Sequence, residues 1–221
     1  MRKANCVIWE LLAVCIIGFC AISQFVANHE VDGFDILITS WVQGIRTDIL
    51  IQISNILAAV GAPKTEMHIA IVVAVLGMGI IFLFRQQRFK DLAPQFIVFG
   101  AANIAAFYVN YWLKNLFHRS RPLDHIASYS YPSGHAMVSF TFYITAAYFL
   151  WQNIPSKAGR LIIAVVCCMM TVLIGLSRVY LNMHYPSDII GAYFAGGGIT
   201  LIIILLFRWH RRRSGNNLSE N

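Results

Sequence analysis

The stretch SRVYLNMHYPSDIIGAYFAGGGITLIIILLF, residues 177–207, decides the fold. From Ser187 to Phe207 it carries one charge, Asp188, close to its start, and is otherwise almost wholly apolar. That length matches the roughly 20 residues an α-helix needs to cross a hydrocarbon core. Pro186 suits the first helical position, where a missing N–H costs nothing. Gly191, Ala192, Ala195, Gly196, Gly197 and Gly198 then give a surface that another helix can approach closely. No strand precedes these glycines, so they do not form a nucleotide-binding loop.

Working outward, five further apolar runs follow the same pattern: Cys6 to Ala27, Met67 to Phe84, Pro94 to Leu113, Ser133 to Trp151 and Arg160 to Ser177. The 221 residues are 58% hydrophobic and 12% charged, against roughly 25% charged in an average soluble domain. The deficit excludes disorder and argues against an ordinary soluble fold. The expected fold is all-α, a six-span transmembrane helix bundle occupying residues 1–221 as one domain. The five cysteines lie inside apolar runs without metal-like spacing and read as small hydrophobes. The first run is about 22 residues long with Arg2 and Lys3 ahead of it. It lacks a small-x-small cleavage site, so an uncleaved anchor is expected rather than a secretory signal.

Charge gives the orientation, because cytoplasmic loops retain Lys and Arg. With the N-terminus inside, eleven of the seventeen basic residues are cytoplasmic: Arg2, Lys3, Arg85, Arg88, Lys90, Lys157, Arg160, Arg208, Arg211, Arg212 and Arg213. Both termini are then cytoplasmic, and residues 208–221 form a basic tail that suits an anionic lipid surface. The +7 formal charge is thereby a membrane signal and does not call for nucleic acid. Residues 28–66 form an extracytoplasmic amphipathic segment. Phe34, Leu37, Ile38, Trp41 and Ile45 fall at helical spacing, with Asp35, Thr39, Gln43 and Arg46 on the other side, as in interfacial helices between the first two spans. The segment would cover the outer site, guide lipid into it, or merely connect.

The six basic residues on the outer side are Arg46, Lys64, Lys114, Arg119, Arg121 and Arg178. Most of them cluster at span ends. There the sequence shows Lys114 with Arg121-Pro122, then Pro132-Ser133-Gly134-His135, then Ser177-Arg178 with His184 and Asp188. The fourth and sixth spans both begin at this surface, so their free N–H groups and positive dipole ends face outward. Ser133 can cap its helix or bind a phosphate oxygen, and Gly134 admits a ligand to the backbone. Asn103, Phe107 and Asn110 share a face with Lys114, which turns that lysine toward the bundle. Arg121 and Arg178 add planar forks that match phosphate oxygens. Without an anion these cations repel one another.

His184 and Asp188 stand one helical turn apart. The carboxylate can hold one ring N–H and leave the other nitrogen as nucleophile. His135 can then protonate the leaving oxygen and later activate water. Taken singly, Pro-Ser-Gly-His also fits a helix cap, and His184 with Asp188 also fits an oriented loop histidine or half of a metal site. His118, Arg119, Asp124 and His125 read as solvated loop residues.

These clusters together resemble the tripartite signature of the type 2 phosphatidic acid phosphatase superfamily, and the six-span layout resembles its bacterial integral membrane branch. The resemblance implies a metal-independent phosphatase without cofactor. His184 would be its nucleophile, Asp188 the orienting carboxylate and His135 the acid and base. Lys114, Arg121, Ser133, Gly134, His135 and Arg178 would hold the phosphoryl group. The expected function is hydrolysis of a membrane lipid phosphate or pyrophosphate ester on the extracytoplasmic side. Undecaprenyl pyrophosphate is the first candidate, followed by phosphatidylglycerol phosphate and phosphatidic acid. A lipid phosphotransferase using the same site is the alternative, then a non-enzymatic anion-binding membrane protein. Oligomeric state is not legible.

Overall fold

A computed structural model describes residues 2–84, 92–123 and 128–217. The described residues form eight helices and no strand: α1 (Arg2–Ala27), α2 (Asp32–Gly44), α3 (Asp48–Val60), α4 (Pro63–Phe84), α5 (Ala93–Phe117), α6 (Gly134–Asn153), α7 (Lys157–Tyr180) and α8 (Pro186–Asn217). Arg85, Arg88, Lys90, Asp124 and His125 lie outside the described residues.

Five helical stretches among the described residues are long and apolar enough to cross a membrane: Cys6–Ala27, Pro63–Leu83, Ala93–Phe117, Lys157–Tyr180 and Pro186–Arg213. The sixth expected span, around Ser133 to Trp151, is a helix but does not reach that apolarity. Its position explains why. Helix α6 packs against α4, α5, α7 and α8, and it buries Ser139, Thr141 and Thr145 against protein. A helix surrounded by other helices has no need of a uniformly lipid-like surface.

Close approach comes from small residues, as the α8 sequence suggests. A Cβ on Gly196 would stand 2.8 Å from the Met137 carbonyl oxygen of α6. Helix α8 has 32 residues and so runs about 48 Å, well beyond a hydrocarbon core of about 30 Å. The basic residues Arg208 and Arg211 to Arg213 continue it as helix, and the Arg213 guanidinium lies 4.1 Å above the Trp209 ring.

Two helix ends aim the chain at one face. Helix α5 stops at His118, whose left-handed backbone lets its N–H reach the Lys114 carbonyl. Helix α7 stops one turn before the site, where Asn182 takes the same conformation at φ 57°. There the Met183 N–H donates to the Arg178 carbonyl at 2.9 Å and the Asn182 N–H to Val179 at 2.9 Å. Asparagine tolerates that conformation, and the reversal delivers His184 to the start of α8.

Residues 28–66 contain α2, α3 and the first turn of α4. Helix α2 is amphipathic in an inverted sense. Its apolar side faces outward, with Phe34 46%, Leu37 65% and Trp41 65% exposed, while Asp35 is fully buried at 0%. The polar side faces protein: Gln43 Nε2 donates to the Val179 and Tyr180 carbonyls. Helix α4 begins at Pro63, ahead of the expected Met67, and its Glu66 is buried against Ser139 Oγ at 2.9 Å. All five cysteines are free.

Candidate active site

The two helix starts meet through the backbone. The Ser133 N–H, at the N-cap of α6, donates to the Asp188 carbonyl in the first turn of α8 at 3.1 Å. Ser133 Oγ accepts from the Ala136 N–H at 3.5 Å, a cap that places the α6 terminus. Gly134 lies so close to Asn110 that a Cβ there would stand 2.9 Å from Asn110 Oδ1. Asn110 in turn donates to the Pro132 carbonyl at 3.1 Å. Asn103 and Asn110 are both buried, so the polar face of α5 does point into the bundle.

Around this junction the structure brings His184, Asp188, Arg121, Lys114 and Ser133 together. His184 Nδ1 lies 3.2 Å from Asp188 Oδ2. Arg121 Nη1 lies 3.2 Å from His184 Nε2 and also donates to the Met183 carbonyl at 2.9 Å. Arg121 Nε is held by the Ser128 carbonyl and hydroxyl. Lys114 Nζ donates to the Tyr129 carbonyl at 2.5 Å and to Ser130 at 3.4 Å.

The tautomer of His184 follows from its neighbours. A guanidinium has donors only, so Nε2 must accept from Arg121 and carry a lone pair. The ring proton is then on Nδ1, donated to Asp188. Burial, reinforced by the positive charges of Lys114, Arg121 and Arg178, holds this imidazole well below its usual pKa range. Neutral His184 therefore presents an unprotonated nitrogen toward a cluster of cations.

His135 is part-buried at the start of α6, within the electrostatic reach of Arg178, His184, Arg121 and Lys114. Arg178 is buried, and its Nε has no hydrogen-bond partner in the structure. A buried unpaired donor is costly, and an oxyanion among these cations would satisfy it. Among the described residues no group of three or more His, Cys, Asp or Glu side chains has the arrangement of a metal site.

Two residues that the sequence reading placed elsewhere belong to this network. Arg119, read as a solvated loop residue, has a side chain only 12% exposed and donates from Nη1 to Asp188 Oδ1 at 2.8 Å. Asp35, read as the outer polar side of an amphipathic helix, receives Arg119 Nη2 at 2.7 Å. The available signal was weak: a basic residue in excess on the outer side, and a carboxylate in α2 with no partner of opposite charge one turn away. His118 is exposed, as expected, and its ring meets Tyr129 edge-on at 4.5 Å.

Fold and site together define a membrane helical bundle with a group of cations around a histidine–aspartate pair at one end. The chain belongs to the PAP2 superfamily, whose family model matches residues 95–213. It is 30% identical over 126 residues to phosphatidylglycerophosphatase B of Bacillus subtilis (strain 168), a match covering 56% of this chain and 60% of that protein. It is 33% identical over 109 residues to the Escherichia coli (strain K12) protein YbjG, provisionally named an undecaprenyl-diphosphatase, covering 45% of this chain and 50% of that one. The matches thus span 50 to 60% of these relatives' lengths. Among solved structures, a transmembrane PAP2-type phosphatidylglycerolphosphate phosphatase from Bacillus subtilis superposes with TM-score 0.71 at 24% identity, over 88% of this chain and 94% of that one. Aquifex aeolicus LpxE superposes with TM-score 0.54 at 19% identity, over 77% and 94%. The fold is therefore shared well beyond the signature clusters.

Proposed function

We propose that this protein is a membrane lipid phosphatase that cleaves a lipid phosphate or pyrophosphate ester through a phosphohistidine on His184. The observation that carries the reading is the orientation of His184, with Nδ1 on Asp188 and the Nε2 lone pair facing the cradle. In the first step a phosphoryl oxygen replaces Nε2 as the acceptor for Arg121. Nε2 forms the N–P bond, the P–O bond to the lipid breaks, and His135, charged once the bound phosphate offsets the neighbouring cations, gives its proton to the departing oxygen. Lys114, Arg121, Arg178, Ser133 and the Gly134 N–H stabilise the charge that develops on the equatorial oxygens. In the second step His135 takes a proton from water, which attacks phosphorus; the N–P bond breaks, its electron pair returns to His184 Nε2, and inorganic phosphate leaves. No metal ion enters this scheme, because the cations and helix starts supply the electrophilic assistance.

The membrane arrangement supports the same reading. Helix α6 starts at the site and ends at the opposite face, where Asn153 donates to Gln95 at the start of α5. Its 20 residues cover about 30 Å, enough to serve as the sixth span. Helices α2 and α3 then lie in the outer interface with apolar sides to lipid. The excess of Lys and Arg in the loops expected to be cytoplasmic supports a site on the extracytoplasmic side with both termini in the cytoplasm.

The names of the relatives bring phosphatidylglycerol phosphate and undecaprenyl pyrophosphate forward as substrates, with phosphatidic acid as a third. Purified wild type and His184→Ala, assayed on these three lipids in detergent, test the proposal. Wild type is expected to release inorganic phosphate from at least one lipid without an acceptor, and the variant from none. Phosphate release by His184→Ala at the wild-type rate contradicts it. Release that requires a second lipid identifies a phosphotransferase instead.

A further inference from the structure

We infer that Arg119, held by Asp35 of α2, is a positioning residue that sets the orientation and charge of Asp188 and, through it, of His184. The inference rests on the function proposed above for its kinetic readout, but not for its geometry.

Asp188 is fully buried, and each of its oxygens has a separate task. Oδ2 accepts from the Tyr185 N–H at 3.0 Å and faces His184 Nδ1 at 3.2 Å. Oδ1 accepts from Arg119 Nη1 at 2.8 Å and, more distantly, from Ser130 Oγ at 3.5 Å. Without Arg119 the carboxylate would have no strong donor on Oδ1. It could then rotate away from the imidazole or take up a proton, and either change removes the acceptor that fixes the His184 tautomer.

Arg119 is itself immobilised from several directions. Nη2 contacts Asp35 at 2.7 Å and Asp32 at 3.5 Å, and Nη1 also donates to Ser187 Oγ at 2.7 Å. The guanidinium sits 4.5 Å above the Tyr185 ring, and the Arg119 carbonyl accepts from the Ser130 N–H at 2.8 Å. Asp35 does more than neutralise it. Asp35 Oδ1 accepts the Ser187 N–H at 2.9 Å, a free donor in the first turn of α8, and Oδ2 accepts from Ser187 Oγ. A helix 150 residues upstream therefore caps the helix that carries Asp188.

The result is one line of alternating charge: Asp35, Arg119, Asp188, His184. Two buried carboxylates share one guanidinium and leave one net negative charge beside the imidazole. That charge suits a ring that becomes cationic when its other nitrogen is phosphorylated. Lys114, Arg121 and Arg178 act on the same histidine through their positive charge, Arg121 directly at Nε2. Charge removal at Arg119 thus changes the dyad without emptying the phosphate cradle.

The test uses the full chain in detergent with two independent readouts. In 15N-histidine spectra, His184 should show its proton on Nδ1 in wild type. Arg119→Ala and the milder Asp35→Asn should each shift or broaden that resonance, while Arg119→Lys should keep it partly. In steady-state assays, Arg119→Ala should lower kcat about 100-fold with KM changed less than about threefold, and millimolar guanidinium should restore part of kcat. The acid limb of its kcat profile should move to higher pH, since Asp188 loses the cation on Oδ1 while Lys114, Arg121, Tyr131, Tyr185 and His184 remain around it, with Asp35 of α2 beyond. Asp35→Asn placed on Arg119→Ala should reduce kcat little further, because the amide oxygen can keep the Ser187 N–H capped while the charge of Asp35 acts through Arg119. Arg119→Ala with an unchanged His184 resonance and kcat near wild type overturns the inference, as does an additive double variant. A wild type that shows the spectral response but hydrolyses no lipid would refute the proposed function and leave the positioning role standing.

Discussion

The two ends of the bundle are held together by different physics. At the site end, α2, the segment after α5, and the starts of α6 and α8 are joined by ion pairs and polar contacts among Asp35, Arg119, Asp188, His184 and Ser133. At the opposite end, α5, α6 and α8 meet through rings: Phe149 lies 5.1 Å from Phe207, and Phe99 lies 5.2 Å from Phe142. Aromatic packing tolerates small adjustments and has no chemistry of its own. A buried polar network must be satisfied throughout or it costs more than an apolar core. Among the described residues, the ion-paired network lies at the site end.

Substitutions at the two ends should therefore separate activity from stability. His184→Ala is expected to give the largest effect, a loss of at least about 1,000-fold in kcat, at temperatures where thermal unfolding in detergent shows the variant still folded. Asp188→Asn should follow at roughly 100-fold, because the amide cannot neutralise a cationic ring; phosphate release under saturating lipid measures both. Phe149→Ala should reverse the pattern. It removes a well-packed ring and is expected to cost about 3 kcal/mol of stability while kcat stays within about twofold of wild type. Loss of activity in Phe149→Ala at temperatures where it remains folded would break the comparison.

Acidification sharpens it further. The folded-state pKa of His184 is lowered by burial and then by the neighbouring cations. Between that value and about 6.5, the unfolded chain binds a proton that the folded protein does not. Stability contributed by this group is complete above the unfolded pKa and declines as pH falls, by up to about 1.4 kcal/mol per pH unit. The free enzyme should therefore lose more stability between pH 7 and pH 5 than His184→Gln does, as read from unfolding temperatures. Vanadate, which mimics pentavalent phosphorus, should narrow the acid loss by occupying the cradle, and should inhibit competitively. The smallest expected effect is that of a strong chelator, which should leave kcat unchanged; sensitivity to it would reassign the histidines as metal ligands.

Much of the site was legible because its pieces are local. His184 and Asp188 are one turn apart, Pro186 marks the helix start between them, and Ser133 caps the next helix. The small residues of α8 likewise announced close packing. What escaped was long-range. Asp35 and Arg119 are 84 residues apart, and neither has a local pattern that points to the other. Periodicity separated the two faces of α2 correctly, but it could not say which one meets protein, because in a membrane the apolar side turns toward lipid. The modest apolarity of α6 has the same origin, since Ser139, Thr141 and Thr145 face other helices. Glu66, in the first turn of the helix that starts at Pro63, belongs to no motif, and only its contact with Ser139 explains its burial.

The central claim is that the His184 side chain itself accepts the phosphoryl group. Rapid quenching of wild type with a lipid carrying a labelled phosphate, followed by peptide mapping, tests it most directly. The expected result is a transient adduct on His184 that survives alkali, is lost in acid and is missing from His184→Ala. Label on another side chain, or full turnover with no labelled protein at any quench time, would contradict the account.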